Sequence, residues 1–160
     1  MSDLTFTDLV APVRDLAAGA DPLTSWRWLA GPDARPLLVT ALGDVFVEQP
    51  DGAVAFLDTY EGHVRVVAGS RDEWKAALRR SENLEAWFGP GLVSELRQRD
   101  LVLQEGQCYS PNHPLILGGT MDPNNFEVTS WRVHLGVMGQ IYEQTSMLPP
   151  GTRITGFTTE

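Results

Sequence analysis

Residues 37–67 narrow the folds open to this chain more than any other stretch. Leu37-Leu38-Val39-Thr40-Ala41-Leu42 is a largely apolar run of strand length, and Val45-Phe46-Val47-Glu48 follows it. Ala53-Val54-Ala55-Phe56-Leu57-Asp58 and His63-Val64-Arg65-Val66-Val67 supply two more runs. The links between them are short: Gly43-Asp44, Pro50-Asp51-Gly52 and Tyr60-Glu61-Gly62. In the second link Pro presets φ, Asp caps the turn and Gly takes the left-handed angle. Parallel neighbours need a crossover of about a dozen residues, so links this short predict an antiparallel meander.

Helical patterns flank the meander. Phe6, Leu9, Val10, Val13 and Leu16 form one apolar stripe ending near Gly19, which predicts an N-terminal helix kinked or delayed by Pro12. Ser25-Trp26-Arg27-Trp28-Leu29-Ala30 predicts a short second helix stopped by Gly31-Pro32, with its two tryptophans about 200° apart on the helix. Ser70-Arg71-Asp72-Glu73 reads as a capping box, with Ser70 as N-cap and Glu73 reaching back. The helix it opens carries Trp74, Ala77 and Leu78 on one face, and Leu84, Trp87 and Phe88 repeat the spacing. Gly89-Pro90-Gly91 breaks the chain before a last short helix near Leu92, Val93 and Leu96.

Residues 106–154 change character. Short apolar clusters separated by glycines predict irregular strands closing the sheet. Trp131, Leu135, Met138 and Ile141 then set a helical period, which predicts one helix laid across it. Strands, helices, strands and a helix in that order make the expected class α+β: an antiparallel meander packed against several helices, with N-terminal helices before it. One domain over residues 1–160 is expected, with 1–36 as a helical N-terminal extension and 37–154 as the α+β region. A chain this long buries about 70% of its unfolded surface, enough for a core without staples.

Charge restricts the partners. Twelve basic residues face twenty-one acidic ones, a formal charge of −9, and that sign repels phosphate. Nucleic acid and anionic membrane surfaces are therefore not the expected partners; a basic protein is. Cys108 stands alone, which suits a reducing compartment, and Met1-Ser2-Asp3 lacks the positive charge that opens a secretory leader. Cytoplasm is the expected location.

No motif carries a reaction. Neither G-x-x-x-x-G-K-[ST] nor a G-x-G-x-x-G between strand and helix occurs, and Gly118-Gly119 reads as room for a tight turn. Cys108 and His113 lie five residues apart, but two ligands make neither a structural nor a catalytic zinc site, even with His63 or His134 nearby. Cys108 with a histidine is the least poor nucleophile, yet nothing in the sequence lowers its pKa. His134, beside the apolar stripe, reads as a hydrogen-bonded, partly buried imidazole. No cofactor, metal or catalytic residue is expected.

Three groups of segments together carry a resemblance. Gly43-Asp44-Val45-Phe46 with Val54-Ala55-Phe56-Leu57-Asp58 is the first. Gly106-Gln107-Cys108-Tyr109, Pro114-Leu115-Ile116-Leu117-Gly118-Gly119 and Asn125-Phe126-Glu127-Val128 make the second. Val133-His134-Leu135, Gly139-Gln140-Ile141 and Leu148-Pro149-Pro150-Gly151-Thr152 make the third. In that order, over roughly residues 37–154, they resemble the C-terminal domain of bacterial type VI secretion immunity proteins. That domain is often found behind a glutamyl-tRNA-amidotransferase-associated-like (GAD-like) domain. The resemblance implies a cytoplasmic α+β protein that binds and neutralises a cognate toxin, with a DNase effector as the family's best-known partner. It implies no catalytic residue.

The residues expected to meet such a toxin are the acidic and aromatic side chains at strand turns and at the helix start: Asp44, Asp51, Asp58, Tyr60, Glu61, Asp72 and Glu73. Two other readings stand beside this one. A homodimeric scaffold would use an exposed sheet edge or the Trp26/Trp28 pair. An enzyme would work through Cys108, His113 and a carboxylate.

Overall fold

The computed structural model describes residues 4–154 and 156. The opening Met1-Ser2-Asp3, from which no leader is expected, lies outside the described residues, as do the last residues of the 1–160 domain span.

Four strands form the meander that the short links predict: β1 (Arg35–Val39), β2 (Val45–Glu48), β3 (Val54–Asp58) and β4 (His63–Ala68), antiparallel and in chain order across the sheet. The central register pairs Val45 with Leu57, Phe46 with Phe56 and Val47 with Ala55. Alternate residues point to opposite faces of a strand, and here both faces are covered. Val45, Val47, Ala55 and Leu57 pack with Trp26, Trp131, Leu135 and Met138 on one side. Phe46, Val54 and Phe56 pack with Trp74, Trp87, Phe88 and Leu96 on the other. That double cover is why the middle strands read as nearly continuous apolar runs. Phe46 alone touches four rings, those of Phe56, Trp74, Trp87 and Phe88, at centroid distances of 5.0 to 5.8 Å.

The N-terminal stripe makes less helix than its spacing predicts. It forms a 3-10 turn over Phe6–Leu9, after which Val10 bridges Thr40. Pro12 has no N–H for a longer helix and disfavours helical angles in the residue before it. The backbone pairs with the sheet instead: Ala11 N–H donates to the Val39 carbonyl at 2.9 Å and Ala41 N–H to the Leu9 carbonyl at 2.8 Å.

A second 3-10 turn, Thr24–Trp26, runs into α1 (Arg27–Ala30). Trp26 is buried and its indole N–H donates to the Leu135 carbonyl at 2.9 Å. Trp28 stacks on it at 6.3 Å and stays 38% exposed.

On the face of Phe46 and Phe56 lie α2 (Arg71–Ala77), α3 (Ser81–Phe88) and α4 (Pro90–Gln98). Ser70 caps α2 as predicted, its Oγ accepting from Glu73 N–H at 3.2 Å. The Glu73 carboxylate reaches back one residue further than a capping box requires, to Gly69 N–H at 2.8 Å.

The late strands depart from expectation. β5 (Gln107–Pro111) and β6 (Phe126–Ser130) pair with each other as a separate two-stranded ladder rather than closing the main sheet. The free edge of β1 is already occupied near its end by the segment around Val10, so only Tyr109 N–H reaches across, to the Ala41 carbonyl at 2.8 Å. Helix α5 (Trp131–Ser146) does lie across the structure as its period predicts, burying Trp131, Leu135, Met138 and Ile141. Among the described residues no helix is long and apolar enough to cross a membrane.

Candidate functional site

The acidic residues of two neighbouring turns converge. Asp44 sits in the β1–β2 turn beside Gly43, whose φ of +91° is a conformation few side chains accept. A Cβ there would stand 2.4 Å from the His134 ring, so the turn is also pressed against α5. The β3–β4 turn is built around Asp58, whose Oδ1 accepts from Tyr60 and Glu61 N–H, both at 2.9 Å. Gly62 closes that turn at φ +72°, with the Tyr142 ring where a Cβ would be. The Tyr142 hydroxyl donates to the Tyr60 carbonyl, so α5 holds this turn as well.

A buried polar chain joins the two turns. Asp44 Oδ1 accepts from Thr59 N–H and from Thr59 Oγ1, each at 2.8 Å. A threonine hydroxyl has one proton; with that proton on Asp44, its oxygen accepts from His134 Nε2–H at 2.9 Å. Nδ1 is then the acceptor and takes the Ser110 hydroxyl proton at 2.7 Å. The tautomer follows from this proton inventory. Burial holds the imidazole neutral, its pKa lowered to about 4. Burial, and then the charge of Asp58, push the Asp44 carboxyl well above the usual carboxylate range.

This chain pins β5, α5 and both turns together and is poorly suited to proton transfer at neutral pH, because a general base works best with a pKa near the operating pH. Cys108 is fully buried, and its thiol makes no hydrogen bond among the described residues. Desolvation, with Asp44 adding, raises its thiol far above the ordinary range, so the reactive thiolate is suppressed. His113 is exposed, and its Nε2 lies 2.7 Å from the Leu117 carbonyl, to which it donates. The one group of metal-competent side chains found among the described residues is Asp58, Glu61 and His63, with ligand atoms within 4.8 Å of one another.

A cleft of about 190 Å³ opens over the two turns. Asp44, Asp58, Tyr60 and Glu61 line it, facing Glu85 and Trp87 of α3. Four of the seven residues expected at a partner surface are therefore brought together. Asp44 and Tyr60 are mostly buried, at 6% exposure each, and reach the cleft only as its floor. The Tyr60 hydroxyl donates to the Leu42 carbonyl, and burial pushes its pKa well up.

The other three residues lie elsewhere. Asp51 caps the β2–β3 turn, its Oδ1 accepting from Ala53 N–H at 3.0 Å. Asp72 and Glu73 open α2. The Val54–Ala68 pairing puts all three at the opposite end of β3, about 15 Å away along the strand. Glu85 was not among the expected residues. Its position over the turns depends on how α3 packs, which no local pattern encodes.

A second, largely apolar groove of about 440 Å³ runs between α5 and the β5–β6 ladder, with Val133, Val137 and Ile141 on one wall and Pro111, Pro114 and Leu117 on the other.

No curated protein matches the chain. A crystal structure of Atu4351 from Agrobacterium tumefaciens is similar at 17% identity and a TM-score of 0.46, over 66% of this chain and 53% of that one. The chain thus spans about half the length of that protein. The family match is narrower than the expected span of residues 37–154, leaving out the first three strands and all of β4 except Ala68. Residues 68–142, just under half of the chain, match the family model described as T6SS immunity protein Tdi1, C-terminal, so that segment is similar to the C-terminal domain of type VI secretion immunity proteins.

Proposed function

We propose that this protein is a cytoplasmic immunity protein that neutralises a cognate secreted toxin by binding it, without making or breaking a bond. The family match over residues 68–142 carries the reading. The charge of −9 supports a basic toxin, of the kind that acts on nucleic acid as a nuclease does, because opposite fields speed encounter and the acidic surface covers what would hold phosphate. The exposed carboxylates of the cleft, Glu61 and Glu85, with the half-buried Asp58, form the contact surface, and Asp44 and Tyr60 lie beneath them. Asp51, Asp72 and Glu73 form a second acidic edge at the other end of the sheet. The neutral imidazole and the suppressed thiol support a non-catalytic role.

The test is co-expression with the toxin encoded beside it. Protection of growth and co-purification of a basic protein are expected. Absence of both, with the toxin demonstrably active, refutes the reading.

A homodimer is the second reading, favoured by Val66, which is 66% exposed on the edge strand β4. Sedimentation that shows only monomer at micromolar concentration removes it.

A further inference from the structure

Helix α5 carries two apolar stripes. Trp131, Leu135 and Met138 face the sheet, and Val133, Val137 and Ile141, spaced i, i+4, i+8, run beside them. Ile141 is buried, but Val137 is only half-buried and Val133 is 55% exposed. This second stripe walls the groove of about 440 Å³, with Pro114 and Leu117 opposite. A space of that size lies within the range of about 300–1,000 Å³ that holds an organic group. The exposed Glu127 also lines it, but the polar atoms of the floor are engaged with each other: the Ser110 hydroxyl donates to His134 Nδ1 at 2.7 Å. The floor therefore asks for apolar surface rather than charge.

The chain itself comes back to this groove. Helix α5 ends at Ser146, and in the turn beyond it Thr152 N–H donates to the Pro149 carbonyl at 3.2 Å, with Gly151 at φ +80°. Pro and then a positive-φ Gly at the two middle positions are what a type II turn takes, and such a turn reverses the chain. Gly156 then lines the groove with Val133, Val137 and Ile141, beside a part of the helix that precedes Ser146. The next Cα, about 3.8 Å on, belongs to Phe157, the only aromatic residue in the sequence after Tyr142.

We propose that the groove between α5 and the β5–β6 ladder is the seat of the chain's own C-terminal segment, with the Phe157 ring packed against Val133, Val137 and Leu117. A phenyl ring suits the site because it buries a large area and carries no polar atom to satisfy. Seated there, it covers the exposed valine and withdraws from other partners an apolar surface that would otherwise invite association. The proposal is independent of toxin binding: among the described residues, the groove and the acidic cleft share no lining residue.

The experiment uses the full chain, labelled with ¹³C and ¹⁵N, at low and high protein concentration. Nuclear Overhauser contacts are expected between the Phe157 ring protons and the methyls of Val133, Val137 and Leu117, at both concentrations alike. In Phe157→Ala those methyl resonances move, whereas Phe157→Leu keeps apolar bulk in the groove. Anilinonaphthalene sulfonate, a fluorescent probe of exposed apolar surface, binds Phe157→Ala several-fold more than wild type or Phe157→Leu. Val137→Ser removes the other side of the same contact, so the thermal midpoint of Phe157→Ala/Val137→Ser falls by clearly less than the sum of the two single losses. Missing ring–methyl contacts, methyl resonances unmoved in Phe157→Ala, or additive midpoint losses overturn the proposal. So do contacts that arise only between differently labelled copies at high concentration, which would give the groove to the tail of a second copy.

Discussion

Acidification isolates the buried chain from Ser110 to Asp44. In the folded protein His134 stays neutral down to about pH 4, because burial disfavours its charged form. In the unfolded chain it takes a proton near the ordinary value of 6.5. Between those values the unfolded state binds more protons, so the unfolding free energy rises with pH across the window and levels off above it. The gap is worth about 3 kcal/mol when each pH unit counts as a tenfold change in the proton equilibrium. Against a total stability of about 5–15 kcal/mol that is a large share.

Asp44 opposes it. Its folded-state pKa is raised above 3.8, so its contribution is present below that value and is lost as pH rises through the folded pKa. The wild-type slope is the difference between the two effects, and Asp44→Asn exposes the histidine alone. Urea unfolding followed by tryptophan fluorescence, at intervals from pH 4.5 to 7.5, should show a steeper rise in Asp44→Asn than in wild type. NMR titration of the His134 ring carbon between the nitrogens should give a midpoint near 4. A midpoint near 6.5, or identical slopes in the two proteins, refutes the proton inventory drawn for this chain.

Three further outcomes follow from local geometry. Gly43→Ala should destabilise by about 2–4 kcal/mol in thermal or urea unfolding, since it combines an unfavourable φ with a Cβ 2.4 Å from the His134 ring. Cys108 should resist a thiol reagent such as Ellman's in the native state and react once the chain is unfolded, because it is buried with a raised pKa. Ser70→Ala should cost about 1 kcal/mol through the lost cap of α2, measured by the same unfolding assay.

Much of the fold was legible in residue order because its turns are chemically marked. Pro50-Asp51-Gly52 and Tyr60-Glu61-Gly62 are too short for anything but reversals, and the meander follows from them. The period of Trp131, Leu135, Met138 and Ile141 likewise marks the buried face of α5. One reading is met only in part, and one detail differs, where pairing overrides pattern. The stripe from Phe6 to Leu16 fits a helix, but Pro12 and the free edge of β1 draw its backbone into sheet hydrogen bonds. The strands after Gly106 look like additions to the sheet until that edge is seen to be taken.

The site was legible only in part. That Asp44 and Asp58 belong together requires two turns to meet, and the turn residues marked both positions without saying that they touch. Glu85 carries no local mark, since a glutamate on a helix surface is ordinary. His134 was expected to be hydrogen-bonded and buried in part; its complete burial, with both ring nitrogens engaged, depends on Ser110 and Thr59 arriving from other elements.

The stretch that matches the family model does not contain the core it packs on. Residues 68–142 begin after β3, yet Trp74, Trp87 and Phe88 pack on Phe46 and Phe56, while Leu135 and Met138 pack on Val45 and Leu57. Excised by itself, the matched segment would leave its helices without the sheet that separates them, and His134 without Thr59. Any shortened version for biophysical work should therefore retain β1 to β4, because sequence similarity and cooperativity draw their borders in different places along this polypeptide.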